Sequence, residues 1–569
     1  MRYWYREKDW IYVGFEYNRN FINIMKREFK AKYNIATKEW YFQIGLDDSY
    51  KLKMFLESNR FENRKVVLPC EIELKKKPKA IDEDLLREMI EYLDFPMKPR
   101  DYQIEGITYM INHGNCINGC ECGTGKTMQS ILYVEVLDLF PCLVICPSSV
   151  KSSWLKEWKQ WNPNRTIHVI DSKDGENTDW EADVTIINYD YLYKRGSSKE
   201  EIKLRYSRSL SKKWGTVILD EIHLCKNPKS LRSRSVKKIV KKSTKVLALS
   251  GTLIMNRPQE LINVLDILGR FKEIFPSLHY FLYRYCNAKK TRFGLDCSGA
   301  SYTLELNSII SHYCYFRKSK RDVLIELPDV INQTVNCSIT NKKEYKQAEN
   351  DLIKYLEGID IDAAERALKA EHLVKISNLK RLSLEGKLNF IEQFLKDWIE
   401  SNEDDKIIVF GTLKEPLKQL HQKFKDESEL VIGESTTEDK MNKVERWKEK
   451  RQILFANTAT LSTGVDGLQK VCSNMIFIEY PVGPTDLEQA ISRLERMGQK
   501  NSINVYFLLS DETIDVHLRK IFEEKSKVIN AVNKGASIDN IDKIQLIDME
   551  LLKSCLLYTS PSPRDMRRS

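Results

Sequence analysis

Gly123-Thr124-Gly125-Lys126-Thr127 is a run whose residue types can bind phosphate. Its glycines let the backbone turn tightly so that several N–H groups face one anion. Lys126 can reach the outer phosphates, and the Thr127 hydroxyl suits magnesium. The run lies within CECGTGKT, where Cys120 replaces the first glycine of the common phosphate-loop pattern. Further along, Val217-Ile218-Leu219 ends directly in Asp220-Glu221. A carboxylate at the carboxyl edge of a buried strand can hold the metal, and its neighbour can orient and deprotonate a water. Gln489, Arg493 and Arg496 follow on a predicted helix. Phosphoryl transfer leaves negative charge on the γ-phosphate oxygens, which arginines delivered late can offset. In this order the groups predict a two-lobed enzyme that binds ATP and Mg2+ and hydrolyses ATP.

Such groups need strand ends to present them. Short aliphatic runs alternate with helical patterns, as in parallel sheets covered on both faces. One set comprises Leu143–Cys146, Val184–Ile187, Val217–Leu219 and Val246–Leu249, and a second Ile407–Phe410, Ile453–Ala456, Met475–Ile478 and Val505–Leu508. Asn115–Gly119 is a weaker strand candidate ahead of the phosphate loop. The expected fold is α/β: two tandem RecA-like parallel-sheet lobes at 85–270 and 386–540, a helical insertion and linker at 271–385, and a small α+β domain at 1–65. In that small domain Trp10–Phe15 and Trp40–Ile44 read as strands, with a basic helix containing Lys26, Arg27, Lys30 and Lys32 between them. Aromatics beside Lys and Arg can stack bases and grip phosphates; the same pattern also fits a small core with a charged helix face.

The chain has 569 residues, 42% of them hydrophobic, and a formal charge of +10, enough for several cores with a mild basic excess. No run approaches the roughly 20 apolar residues of a membrane span, and the opening MRYWYREKDW lacks the apolar centre of a signal peptide. A soluble protein of the cytoplasm, or of the nucleus in a eukaryote, is expected. The thirteen cysteines form no CxxC pair, which points to reduced core thiols rather than a zinc site. The stretch CLLYTSPSPRD, Cys555 to Asp565, back-translates without mismatch into a sequence resembling a transposase-based sequencing adapter. Residues 555–569 are therefore set aside as a non-native tail.

The motif order resembles the Swi/Snf family within helicase superfamily two, over residues 97 to 530. Pro99 to Gly106 resembles the segment in which that family's glutamine contacts adenine, which implies Gln103 for that role, with Gln489 also at the nucleotide. Cys146 to Val150 and the residues after them resemble the motif that touches the nucleic-acid backbone, implying Ser149, Lys151 and Trp154. Ser250-Gly251-Thr252 is similar to the motif that couples hydrolysis to strand movement. Leu461-Ser462-Thr463-Gly464 and Gln489–Gln499 resemble second-lobe motifs, and the former implies Ser462 and Thr463 at the nucleic acid. Arg317 to Val323 resembles the basic stretch after the family's insertion. Leu253 stands where the family usually has proline, and Glu495 where it usually has histidine. Tyr285–Lys290, Gly294–Ala300 and the N-terminal unit resemble the annealing helicases that carry HARP domains, which implies DNA binding by residues 1–65. The resemblance implies an ATP-dependent DNA translocase that remodels or anneals duplex or branched strands. A conventional strand-separating DNA or RNA helicase shares the same core chemistry, and a DNA-binding scaffold with weak catalysis would keep the fold. Strand displacement and ATP turnover separate the three.

Overall fold

The computed structural model describes residues 3–7, 10–15, 18–34, 39–43, 52, 55, 56, 62, 63, 81–171, 174, 180–194, 203–254, 257–291, 294–324, 326–357, 368–433, 437–461, 465, 467–481 and 483–534. They fall into two compact units, one drawn from Met1–Lys79 with Phe275–Phe281 and one from the remainder. Ser462, Thr463, Gly464 and the tail 555–569 lie outside the described residues.

The N-terminal unit is a five-stranded sheet of β1 (Tyr3–Glu7), β2 (Trp10–Gly14), β3 (Lys32–Asn34), β4 (Glu39–Gln43) and β5 (Glu62–Asn63), in the order β3-β4-β2-β1-β5. Helix α1 (Arg19–Glu28) is capped by the Asn18 side chain, which accepts from Phe21 N at 3.1 Å. Its Phe21 and Met25 join Ile11, Val13, Trp40 and Phe42 in one core. Lys26 and Arg27 lie on α1 as expected, whereas Lys30 falls beyond the helix at φ 49° and Lys32 opens β3. The positive φ explains the early stop, because the chain leaves the helix through the left-handed region.

The second unit holds two wholly parallel sheets. The first lobe contains α2 (Glu83–Tyr92), α3 (Asp101–His113), β6 (Cys116–Asn118), α4 (Lys126–Val136), β7 (Cys142–Cys146), α5 (Lys151–Trp161), β8 (Ile167–Val169), β9 (Val184–Asn188), β10 (Trp214–Asp220), α6 (Leu231–Val240), β11 (Ser243–Leu249) and α7 (Glu260–Ile267). Helix α8 (Thr303–Tyr313) then leads to β12 (Tyr315–Phe316), and the sheet order is β12-β6-β11-β10-β7-β9-β8. Strands β7 and β9 are buried at every residue, as apolar runs covered on both faces must be.

A short helix α9 (Lys320–Val323) precedes β13 (Val330–Asn336), then α10 (Lys342–Glu357) and α11 (Leu368–Ser401). The second lobe follows with β14 (Ile407–Gly411), α12 (Lys414–Lys423), β15 (Ser428–Val431), α13 (Thr437–Lys450), β16 (Ile453–Asn457), β17 (Asn474–Phe477), α14 (Pro484–Ile491), β18 (Ile503–Leu509) and α15 (Asp515–Lys534). Its order is β13-β18-β17-β14-β16-β15. The segment expected to be a helical insertion thus also gives each sheet an edge strand, β12 to the first and β13 to the second. It contains a further antiparallel pair, Lys289–Thr291 with Gly294–Asp296. β13 escapes a reading for apolar runs because most of its residues are exposed. Among the described residues no helix is long and apolar enough to cross a membrane.

The second lobe is pinned by a charge inside it. Lys387 on α11 is fully buried; its Nζ donates to Ile478 O (2.9 Å), Leu508 O (3.0 Å) and Asp515 Oδ2 (2.7 Å). It thereby ties two strand ends to the start of α15. Removing one partner of a buried pair leaves an uncompensated charge, at a cost of about 3–5 kcal/mol. Lys387→Ala should lower the unfolding free energy of the second lobe by that amount and so move its urea midpoint down, followed by tryptophan fluorescence; an unchanged midpoint would refute the assignment.

Candidate nucleotide site

The phosphate-loop residues connect β6 to α4. Gly123 and Gly125 have φ of 87° and 85°, a region open to glycine at little cost. A Cβ at Gly125 would also lie 2.6 Å from Gln103 Nε2, so the Gln103 side chain would have to shift from its bond to Thr124 O. Lys126 opens α4, and its Nζ donates to Cys120 O (2.8 Å) and Glu121 O (3.2 Å). The ammonium is thus held inside the curve of the loop, within reach of an anion bound there. Gln103 lies on α3, with Oε1 accepting from Arg100 N (2.8 Å) and Nε2 donating to Thr124 O (3.2 Å). In this structure it braces the loop. Thr127 stands on the first turn of α4.

Asp220 ends the central strand β10, and Trp154 Nε1 donates to its Oδ2 at 2.9 Å. Trp154 is 1% exposed, so it stands behind the acid rather than on a surface where a nucleic acid could touch it. The helix α5 buries the face carrying Trp154, Trp158 and Trp161 against the lobe, which corrects the expectation placed on Trp154. Ser149 lies in the short turn Ser148–Val150 at the carboxyl end of β7. Lys151 donates to Ile170 O (2.7 Å) and lies 5.4 Å from the Tyr191 ring centroid.

Glu221 has φ 52°, an uncommon conformation for a residue with a side chain. Its Oε2 lies 3.1 Å from His223 Nδ1 and 3.5 Å from Ser250 Oγ. Ser250 Oγ also lies 3.1 Å from His223 Nδ1 and donates to Thr252 O at 2.7 Å. The Ser250-Gly251-Thr252 turn is therefore wired to the acid pair. Burial, then the charge of Glu221, pushes the Asp220 carboxyl up to about 6. Burial acts on Glu221 in the same sense, but His223, Lys126 and Arg493 outweigh it and hold its carboxyl below the usual range. Two adjacent, partly buried acids with like charges form a fitting donor set for a divalent cation.

The second lobe reaches this site. Arg496 Cγ lies 3.6 Å from where a Gly123 Cβ would be, and Arg493 is close enough to lower the Glu221 pKa. Arg493 Nη1 donates to Val465 O at 3.3 Å. Gln489 lies near the end of α14, which stops at Ile491, so Arg493 and Arg496 sit in the turns beyond it and not on the helix expected for them. Between the arginines, Glu495 accepts from Lys320 Nζ through Oε2 (3.0 Å) and its carbonyl (2.9 Å). Lys320 N in turn donates to Glu121 Oε2 (3.1 Å), whose other oxygen accepts from Arg317 Nη2 (2.8 Å). Arg317 also donates to Gly119 O (3.1 Å) and Gly251 O (2.8 Å). Arg317, Lys320 and Glu495 stand in motifs legible in the sequence, whereas Glu121, the acid that Arg317 and Lys320 share, is marked by no local pattern.

The Asp220 shift has a measurable sign. A carboxyl raised from 3.8 to about 6 takes up a proton on folding, so its contribution is fully present below 3.8 and lost as pH rises through 6. Above that pH its buried charge costs on the order of 1–3 kcal/mol. Without nucleotide or metal, Asp220→Asn should raise the melting temperature by a few degrees at pH 8 and hardly at pH 4. A variant that melts lower at pH 8 would overturn this account.

The family model for the SNF2-related domain matches residues 102–388, and that for the Helicase conserved C-terminal domain residues 386–498. The chain is 25% identical over 535 residues to the "SWI/SNF-related matrix-associated actin-dependent regulator of chromatin subfamily A-like protein 1" of Xenopus tropicalis, covering 90% of this chain and 54% of that protein. It is 25% identical over 448 residues to the "DNA annealing helicase and endonuclease ZRANB3" of Bos taurus, covering 76% and 40%. The chain thus spans about half the length, or less, of these relatives. Because the first family model alone extends over half of the sequence, the chain belongs to the SNF2-related ATPase family, which uses nucleotide.

Proposed function

We propose that this chain is an ATP-dependent DNA translocase that remodels or anneals duplex or branched strands, as repair, recombination or fork processing require. The observation that carries the reading is the meeting of Gly123–Thr127 and Asp220-Glu221 on one lobe with Arg493 and Arg496 from the other. The named relatives, a DNA annealing helicase and a regulator of chromatin, support DNA as the partner. We assign residues 1–65 to a HARP-like DNA-binding domain, 85–270 and 386–540 to the two motor lobes, and 271–385 to the insertion and linker between them.

In this reading the backbone N–H groups of Gly123, Thr124 and Gly125 close on the phosphates, and Lys126 neutralises the outer ones. Thr127 and Asp220 would hold Mg2+, which offsets charge on the phosphate oxygens when bound. Glu221, kept ionised by His223, orients a water and takes its proton as the new bond to the γ-phosphorus forms and the bond to the bridging oxygen breaks. Arg493 and Arg496 stabilise the charge that builds on the transferred group. Gln103 lies where it can meet the base, next to the loop it braces, with Gln489 presented from the facing lobe. Ser250, Gly251 and Thr252 sense the acid pair through His223 and pass the change to the DNA-facing turns. Ser149 and Lys151 would touch the phosphate backbone there, with Ser462 and Thr463 doing so from the second lobe. Binding through phosphates is largely independent of sequence and falls with salt.

ATP turnover by residues 1–554, alone and with single-stranded, duplex or forked DNA or with RNA, tests this directly. Duplex or forked DNA should stimulate turnover, and Lys126→Ala should reduce it by at least about 100-fold. Stimulation by RNA alone would favour a conventional RNA helicase, and DNA binding without hydrolysis would favour a scaffold.

A further inference from the structure

The N-terminal unit contains a cavity of about 460 Å³ lined by Phe15, Ile22, Lys26, Ala31, Tyr33 and Trp40. Its rings are arranged for a flat guest. Phe15 and Trp40 are parallel to within 4°, with centroids 6.5 Å apart, so their flat faces share one orientation for a stacked ring. Tyr33 leans on Trp40 with centroids 5.1 Å apart and is 47% exposed, so it stands at the mouth. Lys26 also lines the cavity, with Nζ 5.8 Å from the Trp40 centroid.

The charge around the mouth selects the guest. From Asn18 to Asn34 the chain carries Arg19, Lys26, Arg27, Lys30 and Lys32 against the single acid Glu28. A cationic guest, such as a methylated lysine side chain, would meet Lys26 as a like charge. A strand with one unpaired base brings both the flat ring and the anionic backbone that this surface complements. We infer that the Phe15–Trp40–Tyr33 cavity takes an unpaired nucleobase of a nucleic-acid strand whose phosphates lie along Lys26 and Lys30. This rests on the assignment of residues 1–65 to nucleic-acid binding and gives that unit a preference for unpaired over paired strands.

The test compares full-length protein binding to an oligothymidine carrying one 2-aminopurine with binding to the same strand made abasic. Base stacking predicts about tenfold tighter binding to the base-bearing strand and a change in 2-aminopurine fluorescence. Tyr33→Ala should erase most of that difference while leaving abasic affinity unchanged, and Lys26→Glu should weaken both strands. Both side chains are at the surface, and melting curves will verify that the variants fold. Equal wild-type affinity for the two strands overturns the cavity's role but leaves phosphate binding by residues 1–65 standing if Lys26→Glu still weakens both. If neither variant changes either affinity, both the cavity and the nucleic-acid assignment of this unit fall. Competition by free thymidine monophosphate at concentrations equal to the strand overturns the strand as guest in favour of a free nucleotide.

Discussion

Glu121 is the point on which the nucleotide site depends. Its carbonyl takes bonds from Thr124 Oγ1 (2.8 Å) and Lys126 Nζ (3.2 Å), and its carboxylate takes Arg317 and the Lys320 backbone. Lys320, with its side chain 3% exposed, then reaches Glu495. One acid in the phosphate loop is therefore two bonds away from the segment that carries the facing arginines. Charged hydrogen bonds out of water are strong and short in range, so this chain fixes loop and arginines together or not at all. Glu495 gives Lys320 a carboxylate at a position where the Swi/Snf family usually has histidine.

The two sheets make such a meeting possible. In each, all strands run the same way, so every carboxyl end opens on one edge. β10 delivers Asp220 and Glu221 there, β11 delivers Ser250, and β6 leads into the loop before Lys126. Ser250 N donates to Asn118 O at 3.2 Å, which registers the first of these edges against its neighbour. Small shifts in β11 thus reach the acid pair through Ser250 and His223 rather than through bulk packing.

The sequence was most legible where chemistry leaves little choice. The left-handed φ of 85° at Gly125 favours glycine, and buried parallel strands give uninterrupted apolar runs such as Leu143–Cys146, so loop and strands are readable. Less was readable where a role depends on direction or distance. Trp154 was taken for a surface contact because its motif resembles one, yet helix packing turns its indole toward Asp220. Glu121 and Arg317 are 196 residues apart, and no local pattern announces that pairing. The edge strand Val330–Asn336 carries too few buried side chains to show a period.

Helix α15 starts at Asp515, held by Lys387 in the second lobe, and ends on the first. There Asn533 exchanges amide bonds with Ile254 (3.3 and 3.4 Å), two residues past Thr252, and Asn307 Nδ2 bonds Val532 O at 2.6 Å. At about 1.5 Å per residue this helix is a stiff rod roughly 30 Å long. Among the described residues the Lys320–Glu495 contact and the bond from Arg100 Nη2 to Met497 Sδ (3.0 Å) tie the lobes elsewhere. A movement of one lobe against the other would therefore be felt at Ile254, two residues along the chain from the turn whose Ser250 bonds Glu221.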